Sequence, residues 1–385
     1  MKNLFIGIIL LIILSCSSNP KNTFEVIQEG LLIEKPLIDY KLKYLPKDIN
    51  VIYLSNSETK ETFPDEIKGL LTNYYSFSKK NKYFPYIKFV NLNSINACSL
   101  VLQRDAYNFI FVLEDSTDNR SYDFCLKKFV TKDNLLIADF DNESIPKKFK
   151  RFLVNRNDDK YELIKLMNAY GKNAIVIDNE VTEDKYEIGK LWENEFKKEI
   201  SEYKTFSEVE SSQEIFSNLL LIDQSLKRKR KLSRILSKDL NHKSRARRDI
   251  DALFLSVNTQ EARSLKPALD YYNYFENMEV FLANDWKGES QFLESDKDLE
   301  GVISIDIPFM LPSKLPNDLR VVQNKSRNFA MGYDAFEIML LLKSVRNLNR
   351  ATYKGLSGKI TFKDNSIQRK STIFKIENGT YVYLN

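Results

Sequence analysis

The sequence predicts an α/β protein of two lobes, each a parallel sheet flanked by helices. Three observations carry that expectation. Short, nearly continuous apolar runs recur along the chain, as strands covered on both faces require. Amphipathic stretches at helical spacing separate them, so crossovers rather than hairpins join successive strands. The strand–helix rhythm also restarts near Asn155, which divides the chain in two. A length of 385 residues suits two domains of ordinary size, and a hydrophobic content of 43% supplies their cores.

The best-defined unit spans 247–286. Residues 250–257 are apolar almost throughout and read as a buried strand. Asn258 and Thr259 are good helix N-caps, and Glu261 puts an acid in the first turn, where the helix dipole favours it. Ala262, Leu265, Ala268, Leu269 and Tyr272 follow on one helical face, Asn277 ends the helix, and 280–283 is the next strand. Two apolar strands joined by such a helix make a parallel βαβ unit, right-handed by rule.

Earlier, 49–54, 86–90, 109–113 and 135–139 read as strands, with a helix over 64–80 and a helix-like segment over 98–104. The second series starts at 152–154. It continues with a helix over 159–170, a strand over 174–177 and a helix over 184–199. Residues 301–307 form a further strand, 331–346 an apolar helix buried on most sides, and 358–384 short alternating strands. Asn378-Gly379 is a type I′ hairpin signal. The expected crossings between lobes fall near Asn155 and Trp286. One lobe is then 48–155 with 286–355, and the other 156–285 with 356–385.

Residues 1–15 read as a signal peptide. Lys2 precedes an apolar run over 4–14, which is too short to span a bilayer. The run ends in Ser15-Cys16, which resembles a bacterial lipobox. Cys16 is therefore the expected lipidated N-terminus, and 16–47 its tether. Ser17 rather than Asp follows the cysteine, a pattern resembling sorting to the outer membrane, on its periplasmic face. Cys98 and Cys125 remain in the body. In an oxidising compartment they are a candidate disulfide; two buried thiols are the other reading.

The net charge of +5 is unevenly placed. Between 227 and 248 stand 11 Lys or Arg against the single acid Asp239, so the remainder of the chain is net negative. Lys227, Arg228, Lys229, Arg230, Lys231, Arg234, Arg245, Arg247 and Arg248 form a candidate partner-binding patch. Its partner would be anionic: a membrane surface, a glycan with acidic peptides, or an acidic protein face. A solvated helix and loop is the plain alternative. Nucleic acid is excluded by the export signal and by the lack of aromatics in the run.

Catalytic patterns are absent from the sequence. No GxSxG, HExxH, Walker A or GxGxxG occurs, no metal spacing exists, and the one histidine, His242, lies in the basic run. No cofactor and no enzymatic activity are expected. Loops at the carboxyl ends of the strands place Ser116, Thr117, Asn142, Asp178, Asn258, Thr259 and Asp285 where open α/β sheets bind ligands. Such groups suit a zwitterion or a sugar, and they are also what ordinary caps and turns favour.

Two α/β lobes with several chain crossings behind an export signal resemble a type I periplasmic binding protein. The blocks RRDIDALFLSVNTQEARSLKPALDYY, LEGVISIDIPFMLP, FAMGYDAFEI and LSGKITFKDNSIQRKSTIFKIENG are similar, in order and spacing, to the carboxyl-terminal domain of the LpoA family. The resemblance implies an outer-membrane lipoprotein that binds and activates a class A penicillin-binding protein, a peptidoglycan synthase, with peptidoglycan as a further contact. The helical, repeat-like domain that precedes this one in the family has no counterpart ahead of the first strand. A periplasmic solute receptor of an importer, for an amino acid or similar ligand, is the alternative.

Overall fold

The structure, a computed structural model, describes residues 26–27, 31–33, 40–54, 63–92, 105–113, 132–139, 150–154, 156–171, 173–179, 184–207, 210–272, 278–283, 297–311, 313–315, 319, 322, 325–345, 348–363 and 366–384. Cys16, Cys98, Cys125, Ser116, Thr117, Asn142 and Asp285, with the expected helix at 98–104, lie outside these residues.

The described strands form two sheets of eight and one small pair. At the amino end, β1 (Val26–Ile27) and β2 (Leu31–Leu32) are two residues each. The first sheet takes β3 (Asp48–Leu54), β4 (Tyr86–Leu92), β5 (Tyr107–Val112), β6 (Leu135–Asp139) and β7 (Lys150–Leu153). The second takes β8 (Ala174–Asn179), β9 (Ile200–Phe206), β10 (Ala252–Ser256), β11 (Glu279–Leu282) and β12 (Val302–Asp306). After β13 (Ser313–Lys314), the carboxyl end adds β14 (Thr352–Lys354), β15 (Lys359–Lys363) and β16 (Ser366–Lys370) to the first sheet. It gives β17 (Thr372–Glu377) and β18 (Thr380–Leu384) to the second. The strand orders are β14-β15-β16-β7-β6-β5-β3-β4 and β1-β18-β17-β12-β11-β10-β8-β9.

Both sheets are parallel at heart and mixed at one edge. Neighbours from β4 to β16 and from β9 to β12 run parallel; the carboxyl-terminal hairpins add antiparallel pairs. A hairpin can extend a sheet only antiparallel to itself, so these edges depart from the all-parallel expectation. Asn378 and Gly379 both have positive φ (53° and 66°), as a type I′ turn demands.

Helices flank the sheets: α1 (Asp65–Asn81), α2 (Arg156–Tyr170), α3 (Asp184–Phe196), α4 (Ser212–Leu219), α5 (Ile222–Leu236), α6 (Thr259–Tyr272) and α7 (Arg327–Ser344). In β8 and β10 alternate side chains enter two different cores. Ile175, Ile177, Leu253 and Leu255 pack with α4 and α6; Ala174, Val176, Ala252 and Phe254 pack with α2 and α3. That is why these strands read as unbroken apolar runs.

The expected lobe boundaries differ from the observed sheets in two places. β12 lies in the second sheet, where Val302 pairs with Val280 of β11, whereas 286–355 was expected in the first lobe. β15 and β16 lie in the first sheet, although 356–385 was expected in the second lobe. The strand β12 simply continues the parallel progression from β11, so the crossing follows Asp306 rather than Trp286. β9 and α4 occupy a region with no sequence expectation of its own.

α7 is buried on nearly every side, as its apolar sequence predicts. It crosses α1 at close range. A Cβ on Gly332 would stand 1.7 Å from the Glu66 carbonyl oxygen, and one on Gly69 2.0 Å from that of Phe329. Both obstacles are backbone, so neither can swing aside. Gly332→Ala is expected to cost about 1–3 kcal/mol in denaturant unfolding, despite alanine's better helix propensity. A stability equal to the parent would show that the helices part freely.

Candidate functional site

After β3, three segments carry the chain between the sheets, besides the passage from β1 to β3 at the amino end. Val154 leads from β7 into α2, residues beyond Asp306 lead from β12 to α7, and Ser371 separates β16 from β17. Four buried charges meet there. Arg327, the first residue of α7, donates from Nη2 to Asp306 Oδ1 at 2.6 Å and stands 3.6 Å from Asp159 Oδ2. Arg369 of β16 donates from Nη2 to Asp159 Oδ1 at 2.9 Å and from Nη1 to the Ser357 carbonyl at 3.3 Å. A further Arg369 hydrogen bond reaches the Ser371 hydroxyl. Asp306 also accepts from the Ile307 amide at 2.6 Å. Burial raises the Asp306 carboxyl above its ordinary range, and Arg327 opposes that rise. Two cations and two anions thus join these three later crossings in one charge-balanced cluster.

A second buried carboxylate closes the turn between β14 and β15. Asp334 of α7 accepts from the amides of Leu356 (3.0 Å) and Ser357 (2.7 Å) and from the Ser357 hydroxyl (2.5 Å). Gly358 in that turn has φ +135°, and a Cβ there would lie 2.3 Å from the Lys370 carbonyl oxygen. The sequence blocks FAMGYDAFEI and LSGKITF therefore touch: the aspartate of one holds the turn of the other. Burial pushes Asp334 up to about 7 against the pull of its Ser357 partners.

Of the expected cleft residues, Asp178, Asn258 and Thr259 are described. Asp178 pairs across the ladder with Ser256, so all three gather at the carboxyl ends of β8 and β10. Asn258 Oδ1 accepts from the Glu261 amide and Glu261 Oε2 from the Asn258 amide, each at 2.8 Å. This reciprocal capping box starts α6. Asn179 Nδ2 adds a bond to Glu261 Oε2 at 3.2 Å. The Asn258 side chain is thus used as a cap.

A polar concavity lies elsewhere. A cavity of about 600 Å³ opens where β7, β16 and β15 meet the first turns of α2. Arg151, Asp158, Tyr161, Glu162, Lys359 and Gln368 line it, and Lys370 Nζ pairs with Glu162 at 3.3 Å across it. Burial raises Asp158, with Arg369 pulling the other way. The wall mixes both charges with amide and hydroxyl groups, a surface suited to a zwitterion. Sequence reading missed this site and the charge cluster. The available signal was charge in apolar company: Asp306 ends the mostly apolar strand of 302–305, and Arg327 heads the apolar α7.

The basic run folds as a finger. α5 rises from the second lobe, and residues 237–248 return beside it. Lys227, Arg228, Arg230, Lys231 and Arg234 are exposed on α5. Lys229 pairs with Asp239 at 3.1 Å. Arg245 and Arg248 are exposed on the return. Arg247 differs from these. Its guanidinium pairs with Asp249 at 2.5 and 2.8 Å and with Glu202 at 3.4 Å, and its amide donates to the Leu220 carbonyl. It pins the base of the finger.

Residues 191–379, from within α3 to the last hairpin turn, match the family model described as LppC putative lipoprotein. Among curated relatives, the penicillin-binding protein activator LpoA of Photobacterium profundum is 25% identical over 167 residues, covering 40% of this chain and 27% of that one. LpoA of Vibrio cholerae is 23% identical over 219 residues, covering 53% and 33%. The match is to the LpoA family. The aligned stretches span a third or less of the curated LpoA proteins' own length. In fold, the LpoA C-domain from Haemophilus influenzae, a regulator of PBP1A, aligns over 88% of this chain and 100% of its own at TM-score 0.56 and 14% identity. Full-length LpoA from the same organism aligns over 59% of its length at TM-score 0.55 and 13% identity. A putative branched-chain amino acid ABC transporter protein of Rhodospirillum rubrum shares the fold at TM-score 0.57 and 12% identity, covering 88% and 100%. The LpoA-like architecture is therefore that of the periplasmic binding proteins.

Proposed function

We propose that this chain binds and activates a class A penicillin-binding protein, and so regulates peptidoglycan synthesis without catalysing a reaction itself. The supporting observation is the family match over 191–379 on a fold that spans the whole LpoA C-domain. On this reading the chain is an outer-membrane lipoprotein on the periplasmic face, held by lipid on Cys16, with peptidoglycan within reach. The lipobox-like Ser15-Cys16 supports that placement. Its two lobes would be the two sheets with their helices, joined at the Asp159–Arg369 and Arg327–Asp306 pairs.

The test mixes residues 17–385 with the periplasmic part of the same organism's class A penicillin-binding protein. Glycan polymerisation and crosslinking are read in the same tube. Saturable binding with faster synthesis is expected. Absence of binding at tens of micromolar would overturn the reading.

The polar cavity beside α2 favours one other function, that of a solute receptor. A zwitterionic ligand held at 100 times its Kd would then add about 2.7 kcal/mol to stability in a melting experiment. Flat melting curves across amino acids and sugars would remove that alternative.

A further inference from the structure

The finger of 222–248 carries a feature that the buried packing of α5 does not account for. Only Ile222 and Ser225 of α5 are buried, both at its base. The apolar residues of the free half, Leu232, Ile235 and Leu236, are 50%, 68% and 56% exposed. At 100° per residue they fall within about 100° of arc on one side of the helix. Lys231 flanks that arc on one side and Lys229 on the other, with Arg228 inside its span. Lys227, Arg230 and Arg234 continue round the far face. An exposed apolar arc bordered by cations is the arrangement of helices that lie in a membrane interface.

We propose that the tip of this finger inserts into an anionic phospholipid surface, with Leu232, Ile235 and Leu236 at the acyl boundary and the cations on the phosphates. Three observations favour lipid over an acidic protein face. The cations occupy both flanks and the back of the helix, where a rigid face meets one side only and headgroups surround an inserted end. The helix end is already closed. Ser237 is left-handed (φ 50°), its amide donates to the Arg234 carbonyl, and the Lys238 amide donates to that of Ser233 at 3.2 Å. Fewer bare carbonyls therefore enter the interface. The base is fixed to the second lobe through Arg247, so the tip projects from a firm support. This inference stands apart from the synthase reading and does not need it.

The test uses residues 17–385, free of the lipid on Cys16, and vesicles of phosphatidylcholine with or without phosphatidylglycerol. Co-sedimentation with the anionic vesicles only, weakening as salt rises, is expected. Lys231→Ala with Arg234→Ala should weaken it about 25-fold, on the order of fivefold per cation. Leu232→Ser, Ile235→Ser and Leu236→Ser together should weaken it at least about tenfold while leaving the charge unchanged. Ile235→Trp should show a blue-shifted emission on the anionic vesicles. All of these positions are exposed, so melting temperatures should match the parent and separate lost binding from lost folding. Equal sedimentation with neutral vesicles, or full binding by the serine variant, would overturn the proposal. So would a synthase that binds the parent but not the serine variant, with vesicle binding absent in both.

Discussion

Asp159→Ala is expected to destabilise the folded chain by about 3–5 kcal/mol, because it takes away the carboxylate to which buried Arg369 donates and one of the two beside Arg327. The Arg327 and Arg369 side chains are exposed by only 7% and 2%, so water cannot replace the lost carboxylate. A surface pair gives the contrast. Lys68 and Asp65 stand 2.8 Å apart with side chains 51% and 39% exposed, and breaking that pair should cost at most about 1 kcal/mol. Denaturant unfolding of each variant provides the comparison. Adding Arg369→Met to Asp159→Ala should recover part of the loss, since the second change removes one of the uncompensated charges. If the double variant is as unstable as the sum of the singles, the two residues do not act as a pair.

The second large effect is a pH dependence. In the unfolded chain Asp334 titrates near its ordinary value of 3.8, and in the folded chain near 7. Between those values the folded state holds a proton that the unfolded state has released. Stability from this group is therefore full below about pH 4 and falls as pH rises, by on the order of 4 kcal/mol above pH 7. Some other carboxyls act in the opposite sense. Asp249, bonded to Arg247, sits below its ordinary range and adds stability that is lost on acidification. The isolating measurement is the unfolding free energy of the parent minus that of Asp334→Asn across pH 4 to 8. That difference should decline through the interval. A flat difference would mean that the three donors from Leu356 and Ser357 hold the carboxylate at its ordinary value.

The parts of the fold legible in the sequence were those in which local pattern and tertiary role agree. β10, α6 and β11 follow directly from an apolar run, a cap, an amphipathic helix and a second run. α7 was legible because a helix buried all round needs no polar face. β9 was not, since ISEYKTF is an edge strand with mostly half-exposed positions and weak alternation. Lobe membership was misplaced for β12 and for β15–β16 because it depends on which neighbour a strand pairs with, and no local pattern encodes that. The charge cluster was hidden for a related reason. Asp159 and Arg369 are 210 positions apart, and each alone looks like an ordinary surface charge. The basic run was visible as composition, but not the division between Arg247, which pins the base, and its exposed neighbours.

The amino-terminal strands have a mechanical consequence. β1 pairs with β18 through two residue pairs, and β2 with β13 through two. A pull on the N-terminus loads these short ladders before it reaches β3, which is held by seven residue pairs to β4 and six to β5. Releasing them would pay out the chain from Val26 to Ile33, which is buried in the core, a contour of about 25 Å. The amino-terminal segment would then have two lengths, short with its edge strands zipped and long with them peeled. Tension on that segment would set how far the two sheets stand from its amino end.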